Sequence, residues 1–158
     1  FGVAPDAIKV VIHPQSVIHS LVNYVDGSSL AQLGHADMRV PIAHALAHPE
    51  RIASGVGVLD LATQGSLDFH APDLDKFICL RLAFDALRVG GAAPIVLNAV
   101  NECSVTAFLA GQIGFLEIAQ VNESTLNALS FDAPVNLDDV LAIDAATRVW
   151  AGKHKVLV

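Results

Sequence analysis

Val10-Val-Ile-His-Pro-Gln-Ser-Val-Ile-His-Ser-Leu-Val22 sets two histidines, a glutamine and two serines into an otherwise β-forming apolar run. Branched side chains at Val10, Val11, Ile12, Val17, Ile18 and Val22 favour extended backbone, and Pro14 lacks the N–H that a ladder needs. The run predicts two strands with a kink at His13-Pro14. On the second strand, Val17, His19, Leu21, Asn23 and Val25 share one face, and Ile18, Ser20, Val22 and Tyr24 the other. Asp26-Gly27 signals a turn, after which Ser29-Leu-Ala-Gln-Leu-Gly34 returns as a third strand. Apolar on both faces, this hairpin needs cover on each side, from its own domain or from another subunit.

Downstream, the period changes. Residues 37–47 predict a helix, with Pro41 tolerated in its first turn and Pro49 ending it. Residues 49–72, rich in Gly, Ser, Thr and Pro, predict a surface-packed linker with one short strand at 66–69. From Asp73 onward the chain reads as helical. A first helix spans about 74–89, with Phe77, Leu80, Phe84 and Leu87 on one face, and stops at Gly90-Gly91. A second runs from Pro94 to Ala110 and a third from Phe115 to Leu129. A fourth starts at Asn136, with Asp139 completing an approximate capping box, and runs past Trp150. The fold class is therefore α+β: a β-hairpin segment with one helix (1–48), a linker (49–72) and a four-helix bundle (73–158).

Composition narrows the function. Nine basic and sixteen acidic residues leave a net charge of −7, and the basic residues are scattered. With no basic stripe, a nucleic-acid or anionic-membrane surface is not expected. No apolar run reaches the roughly 18–20 residues that span a bilayer. Cys79 and Cys103 fall in apolar helical patterns and are expected as two buried, reduced thiols.

Several constellations invite chemistry and have a plainer reading beside it. His13 and His19 do not share a strand face cleanly, and no third ligand has suitable spacing; zinc wants three or four. His44 and His48, one helical turn apart, also lack a third. Asp73-Leu-Asp75 stands at a helix start, where carboxylates cap free N–H groups. Asn98, Asn101 and Glu102 form a polar stripe at i, i+3, i+4, read as a structural network because buried polar groups must be paired. Neither Gly90-Gly91 nor Gly55-Val-Gly57 opens the strand–turn–helix unit of a dinucleotide site.

A longer string is more specific. His13-Pro-Gln-Ser-Val-Ile-His19-Ser20, Asp26-Gly27, Ala31-Gln-Leu-Gly34, Asp37-Met-Arg39 and Pro41-Ile-Ala-His44 resemble 1-deoxy-D-xylulose 5-phosphate reductoisomerase. The similarity continues through Ala71-Pro-Asp73, Leu97-Asn-Ala-Val-Asn-Glu102, Ala107-Phe-Leu109 and Asp138-Asp-Val140. It implies an NADPH- and Mn²⁺- or Mg²⁺-dependent enzyme of non-mevalonate isoprenoid synthesis. The reaction would rearrange 1-deoxy-D-xylulose 5-phosphate and reduce it to 2-C-methyl-D-erythritol 4-phosphate. In that family the cofactor domain, the metal carboxylates and a Trp-bearing flap precede the position matching Phe1. The chain is thus expected to be the C-terminal part, inactive alone, with 1–48 closing the catalytic domain; a non-catalytic dimerising or scaffolding role is the alternative.

The resemblance places Ser16 and His19 near the sugar phosphate, where a hydroxyl donates and an imidazole can carry charge. The plainer reading of His19 is a buried histidine satisfied by a sheet neighbour. It places Met38 against the nicotinamide, with core packing as the alternative. Asp37 and Arg39 are expected to brace the turn by capping and pairing. The resemblance further implies a homodimer through strands 17–34 and a bacterial cytoplasmic location, a plastid origin being the other option. The sequence departs from the pattern at Ala36, where Pro is common, and at Ala47-His48, where Ala-Trp is common. The first change loosens the turn before Met38, and the second removes a large anchor.

Overall fold

A computed structural model describes residues 3–153, so the connection expected around Phe1 lies partly outside the described residues. Two compact units result: residues 10–72, and residues 3–9 together with 73–153.

In the first unit, β1 (Ile18–Asn23) pairs antiparallel with β2 (Ser29–Leu33) around the Asp26-Gly27 turn. Gly27 there adopts φ 87°, and the Asp26 carboxylate accepts from Ser28 N–H and Oγ–H at 2.8 and 2.6 Å. Those bonds lower the Asp26 pKa by favouring its charged form. The strand expected before His13 does not form. Ile12 makes only an isolated bridge to His70, which also replaces the strand expected at 66–69.

Side chains extend that bridge. Gln15 Nε2 donates to the Asp68 carboxylate and Asp68 N–H returns a bond to Gln15 Oε1 at 3.1 Å. His13 stacks on Phe69 with ring centroids 4.9 Å apart. The segment 68–70 is thereby stapled to 12–15. Between them lie α1 (Arg39–Ala47) and the short α2 (Leu61–Gln64), whose N-cap Asp60 accepts from Ala62 N–H at 2.9 Å. Helix α1 starts at Arg39, not Asp37, because the Asp37 side chain turns back to cap Arg39 N–H.

The second unit holds a 3₁₀ turn (Pro5–Ala7) against α3 and four helices: α3 (Ile78–Val89), α4 (Ala93–Leu109), α5 (Phe115–Ala128) and α6 (Leu137–Lys153). Helix α4 is central and packs on the other three. Helix α3 begins four residues after the predicted Leu74, since Asp73 Oδ1 caps Asp75 and Lys76 N–H and holds 74–76 as a separate turn. Its buried positions are Leu82 and Ala86, with Phe77 and Leu87 exposed. A small residue at the contact lets the neighbouring helix approach, and this wins over the aromatic stripe. The predicted α6 cap is present: Asn136 Oδ1 accepts from Asp139 N–H, but the Asp139 carboxylate reaches Val135 N–H, one residue further back than a capping box requires.

Among the described residues, the bundle core holds two apolar clusters. One is Ala92, Val96 and Ile143 beneath Ile95, Leu126, Leu129 and Phe131; the other is Val100, Val121 and Ala151 beside Cys103. Both cysteines are free thiols, and Cys79 is exposed, against expectation. Among the described residues, four polar ones are buried: Ser104, Asn122, Thr125 and Thr147. Thr125 and Thr147 donate to the carbonyls four residues back, Val121 and Ile143, each at 2.8 Å. Ser104 Oγ lies 2.8 Å from the Val100 carbonyl and 3.1 Å from Asn122 Oδ1. Asn122 Nδ2 donates to Asn101 Oδ1 on α4 at 2.9 Å and lies 3.9 Å from Cys79 Sγ on α3.

The Asn98–Asn101–Glu102 stripe is thus structural. Glu102 Oε2 accepts from Arg148 of α6 at 2.6 Å, Arg148 also grips Asp144, and Asn101 meets Asn122. Removing the buried amide leaves Ser104 and Asn101 short of a partner. Asn122→Ala is expected to lower bundle stability by about 2–3 kcal/mol in urea unfolding. A change below about 0.5 kcal/mol, the range of ordinary surface substitutions, would show that the amide is dispensable.

Candidate functional site

Three elements of the first unit converge on one cavity of about 560 Å³: the 13–16 turn, the start of β1 with the end of β2, and the 35–41 entry into α1. Its wall includes Ser16, His19, Gln32, His35, Met38 and Pro41. The three residues singled out from sequence therefore face a common space. Gln32 and His35 join them without a signal in the sequence: alternation does not separate Gln32 from its strand neighbours, and His35 lies past the end of β2.

Each side chain is aimed by a specific local device. Ser16 ends a turn in which its N–H donates to the His13 carbonyl at 3.1 Å, and it adopts φ 51°, which serine occupies at a cost. His19 falls where the register slips, between the pairs Ile18↔Leu33 and Ser20↔Gln32. The extra residue of a bulge leaves the alternating ladder, so His19 is re-aimed relative to the predicted face. Its Nε2 donates to the Gly34 carbonyl at 3.1 Å. That bond requires a proton on Nε2 and leaves Nδ1 as the ring atom available to a ligand, accepting when neutral and donating when protonated. His19 is exposed, not buried as the plainer reading has it, although its partner Gly34 adjoins β2, the sheet neighbour that reading expects.

Met38 is 69% exposed and is no part of a core. It precedes α1 between Asp37 and Arg39, which clasp each other: Arg39 Nε and Nη2 bond the two Asp37 oxygens at 2.7–3.1 Å. This is the expected brace of the turn. The guanidinium and the capped N–H hold the Asp37 carboxyl at about 2, below its ordinary 3.8, with a smaller contribution from His35.

His44 and His48 touch edge to face, with centroids 5.8 Å apart. Among the described residues no group of three or more His, Cys, Asp or Glu side chains is placed to hold a metal ion. These residues do not fit a divalent-metal centre.

The Asp37 clasp has a pH signature. A carboxylate whose folded pKa is depressed contributes order above its unfolded pKa, and that order is lost as pH falls through the folded value. The turn carrying Met38 is expected to be fully held above pH 4 and to loosen between about pH 4 and 2, following the values 3.8 and about 2. Methyl NMR of Met38 should show this transition in the wild type and lose it in Asp37→Asn; the same transition in the variant would assign it elsewhere.

A family model described as "DXP reductoisomerase C-terminal domain" matches residues 33–150. The 1-deoxy-D-xylulose 5-phosphate reductoisomerase of Acidithiobacillus ferrooxidans is 61% identical over 154 residues, covering 98% of this chain and 39% of the relative. That of Dechloromonas aromatica is 58% identical, covering 97% and 38%. The chain thus spans about two fifths of the length of these curated relatives. Among solved structures, the Zymomonas mobilis enzyme in complex with NADPH superposes with a TM-score of 0.84 at 47% identity, over 93% of this chain and 39% of that one. A DOX-P reductoisomerase in complex with NADPH, fosmidomycin and magnesium gives 0.83 at 52% identity, over 92% and 38%. With most of its length inside the matched domain, the chain belongs to the DXP reductoisomerase C-terminal domain family.

Proposed function

We propose that the chain is the part of an NADPH-dependent reductoisomerase that borders the sugar phosphate and the nicotinamide, in the conversion of 1-deoxy-D-xylulose 5-phosphate to 2-C-methyl-D-erythritol 4-phosphate. The observation carrying this reading is the convergence of Ser16, His19 and Met38 on one cavity. Relatives bearing that enzyme's name, and neighbours solved with NADPH and magnesium, support it. In this role the Ser16 hydroxyl donates to an anionic oxygen, and His19 offers Nδ1 with its ring fixed by Gly34. Met38 lays a soft, polarizable side chain against a flat ring. These groups bind and orient; positioning by preset donors is their share of the catalysis.

The NADPH and the Mn²⁺ or Mg²⁺ belong to the same proposal. NADPH supplies the hydride when bound, and Met38 is the one residue here assigned to it. A bacterial cytoplasmic location is part of the reading. It is supported by bacterial relatives; among the described residues no helix is long and apolar enough to cross a membrane.

In a full-length reductoisomerase carrying this segment, His19→Gln is expected to raise KM for the sugar phosphate about tenfold, the value of one hydrogen bond to a charged group. KM for NADPH and the melting temperature should stay put. An unmoved sugar-phosphate KM would return His19 to a structural role.

The hairpin supports a homodimer through residues 17–34, as does the alternative of a non-catalytic scaffold. Leu21, Val22, Tyr24 and Leu30 are 44–64% exposed, an apolar ribbon without cover from its own unit. Sedimentation of the 158-residue chain at micromolar concentration should give a dimer, reduced to monomer by Val22→Lys with Leu30→Lys. A wild-type monomer would count against both.

A further inference from the structure

Ser16 stands at φ 51°, in the left-handed region that glycine takes freely and serine only at a cost. A single non-glycine residue keeps such a conformation when its surroundings over-determine it. On the C-terminal side the holding is plain: Val17 is buried, and its carbonyl accepts from Gly34 N–H at 2.9 Å. On the N-terminal side lie half-buried Gln15 and the turn closed by Ser16 N–H on the His13 carbonyl.

What fixes that turn comes from 53 residues beyond Gln15, in the stretch read from sequence as a linker. Asp68 gives its N–H, its carbonyl and its carboxylate to this one turn. Its N–H donates to Gln15 Oε1 at 3.1 Å, its carboxylate accepts from Gln15 Nε2, and its carbonyl accepts from His13 Nδ1 at 2.9 Å. An amide bonded at both its oxygen and its nitrogen cannot flip, so Gln15 has one orientation. Pro14, between the two gripped residues, has its φ fixed by its ring. With the residues on either side pinned, the change of direction from turn to strand falls on Ser16.

We propose that Asp68, acting through Gln15, is a positioning residue that holds Ser16 in the left-handed conformation and so sets its hydroxyl on the cavity wall. This deepens the proposed function and rests on it for the ligand that the hydroxyl meets; the hold on the Ser16 backbone stands on the geometry alone. Released, Ser16 would leave the left-handed region by a factor of about 5–30, the conformational cost expressed as a population ratio. The competent fraction, and the apparent affinity with it, falls accordingly. The loss is capped by what the hydroxyl contributes, about tenfold for one hydrogen bond to a charged group.

The first test is NMR of the 158-residue chain. A positive φ brings the HN and Hα of one residue close, so Ser16 is expected to give a strong intraresidue NOE. Gln15→Leu removes both bonds of the amide and should weaken that NOE, while the Ile12 and His70 amides, paired across their bridge, stay protected from exchange. Gln15→Glu, which sets two carboxylates face to face, should weaken it as well. Gln15→Glu combined with Asp68→Asn puts a donor opposite an acceptor again, with their sides exchanged, and should bring the NOE back. An NOE unchanged in Gln15→Leu, or not restored by the exchanged pair, overturns the proposal. Should Gln15→Leu open the bridge too, the exchanged pair decides.

The second test uses a full-length reductoisomerase carrying this segment. Gln15→Leu is expected to raise KM for the sugar phosphate about five- to tenfold, with KM for NADPH unmoved. Added to Ser16→Ala, the same change should do nothing more, because a residue acting through Ser16 has no other route. An equal further rise on Ser16→Ala would overturn the positioning role. A KM unmoved by Ser16→Ala alone would remove the contact proposed for Ser16, and the NOE would still decide the hold of Asp68 on its backbone.

Discussion

The unit of residues 10–72 depends on a polar staple more than on an interior. Val17 is its one buried residue, and a two-stranded ribbon by itself is marginal in water. What joins the ends of the segment is the return of 68–70 onto 12–15: the Ile12–His70 bridge, the paired Gln15–Asp68 bonds and the His13–Phe69 stack. A closure of this length costs loop entropy that grows slowly with residue number, so a few good bonds suffice. The cavity is built inside that loop. Its walls keep their spacing because the loop is shut, not because a packed core lies behind them.

The two units show opposite routes to order. In the bundle, small residues on α4 let the neighbouring helices approach, and apolar burial does the holding. In residues 10–72, side chains mostly bond backbone nearby: Asp26 to Ser28, Asp37 to Arg39, Asp60 to Ala62, His19 to Gly34. Such contacts fix direction without hiding area. The apolar side chains of the two strands stay exposed as a result.

Much of this was legible in the sequence, for reasons that can be named. Asp26-Gly27 announces its hairpin, Gly90-Gly91 and Pro94 punctuate α3 and α4, and Asn136 with Asp139 marks the start of α6. Where reading failed, a long-range partner decided. The apolar 8–12 run has strand propensity but finds only His70 to pair with, and propensity without a partner makes no strand. Cys79 lies in an apolar pattern, yet the buried face of α3 is set by Leu82 and Ala86. On the cavity wall, Ser16, His19 and Met38 are the residues that the resemblance singles out. The bulge that aims His19 is not legible, because one extra residue in a ladder leaves no mark on alternation. His44 joins the wall from within α1 and Arg51 from beyond its C-terminus, a juxtaposition that spacing does not encode.

One feature of the bundle bears on how its helices know their register. Apolar side chains interdigitate tolerantly, and a one-turn slide would still bury most of them. Thr125 and Thr147 are sealed by carbonyls of their own helices and carry no information about neighbours. Among the described residues, the Asn122 amide alone of the buried polar groups reaches two other helices, meeting Ser104 and Asn101 on α4 and coming within reach of Cys79 on α3. Axial alignment in the bundle interior is therefore written at a single side chain, and a lineage that replaced it would have to encode the same alignment afresh elsewhere.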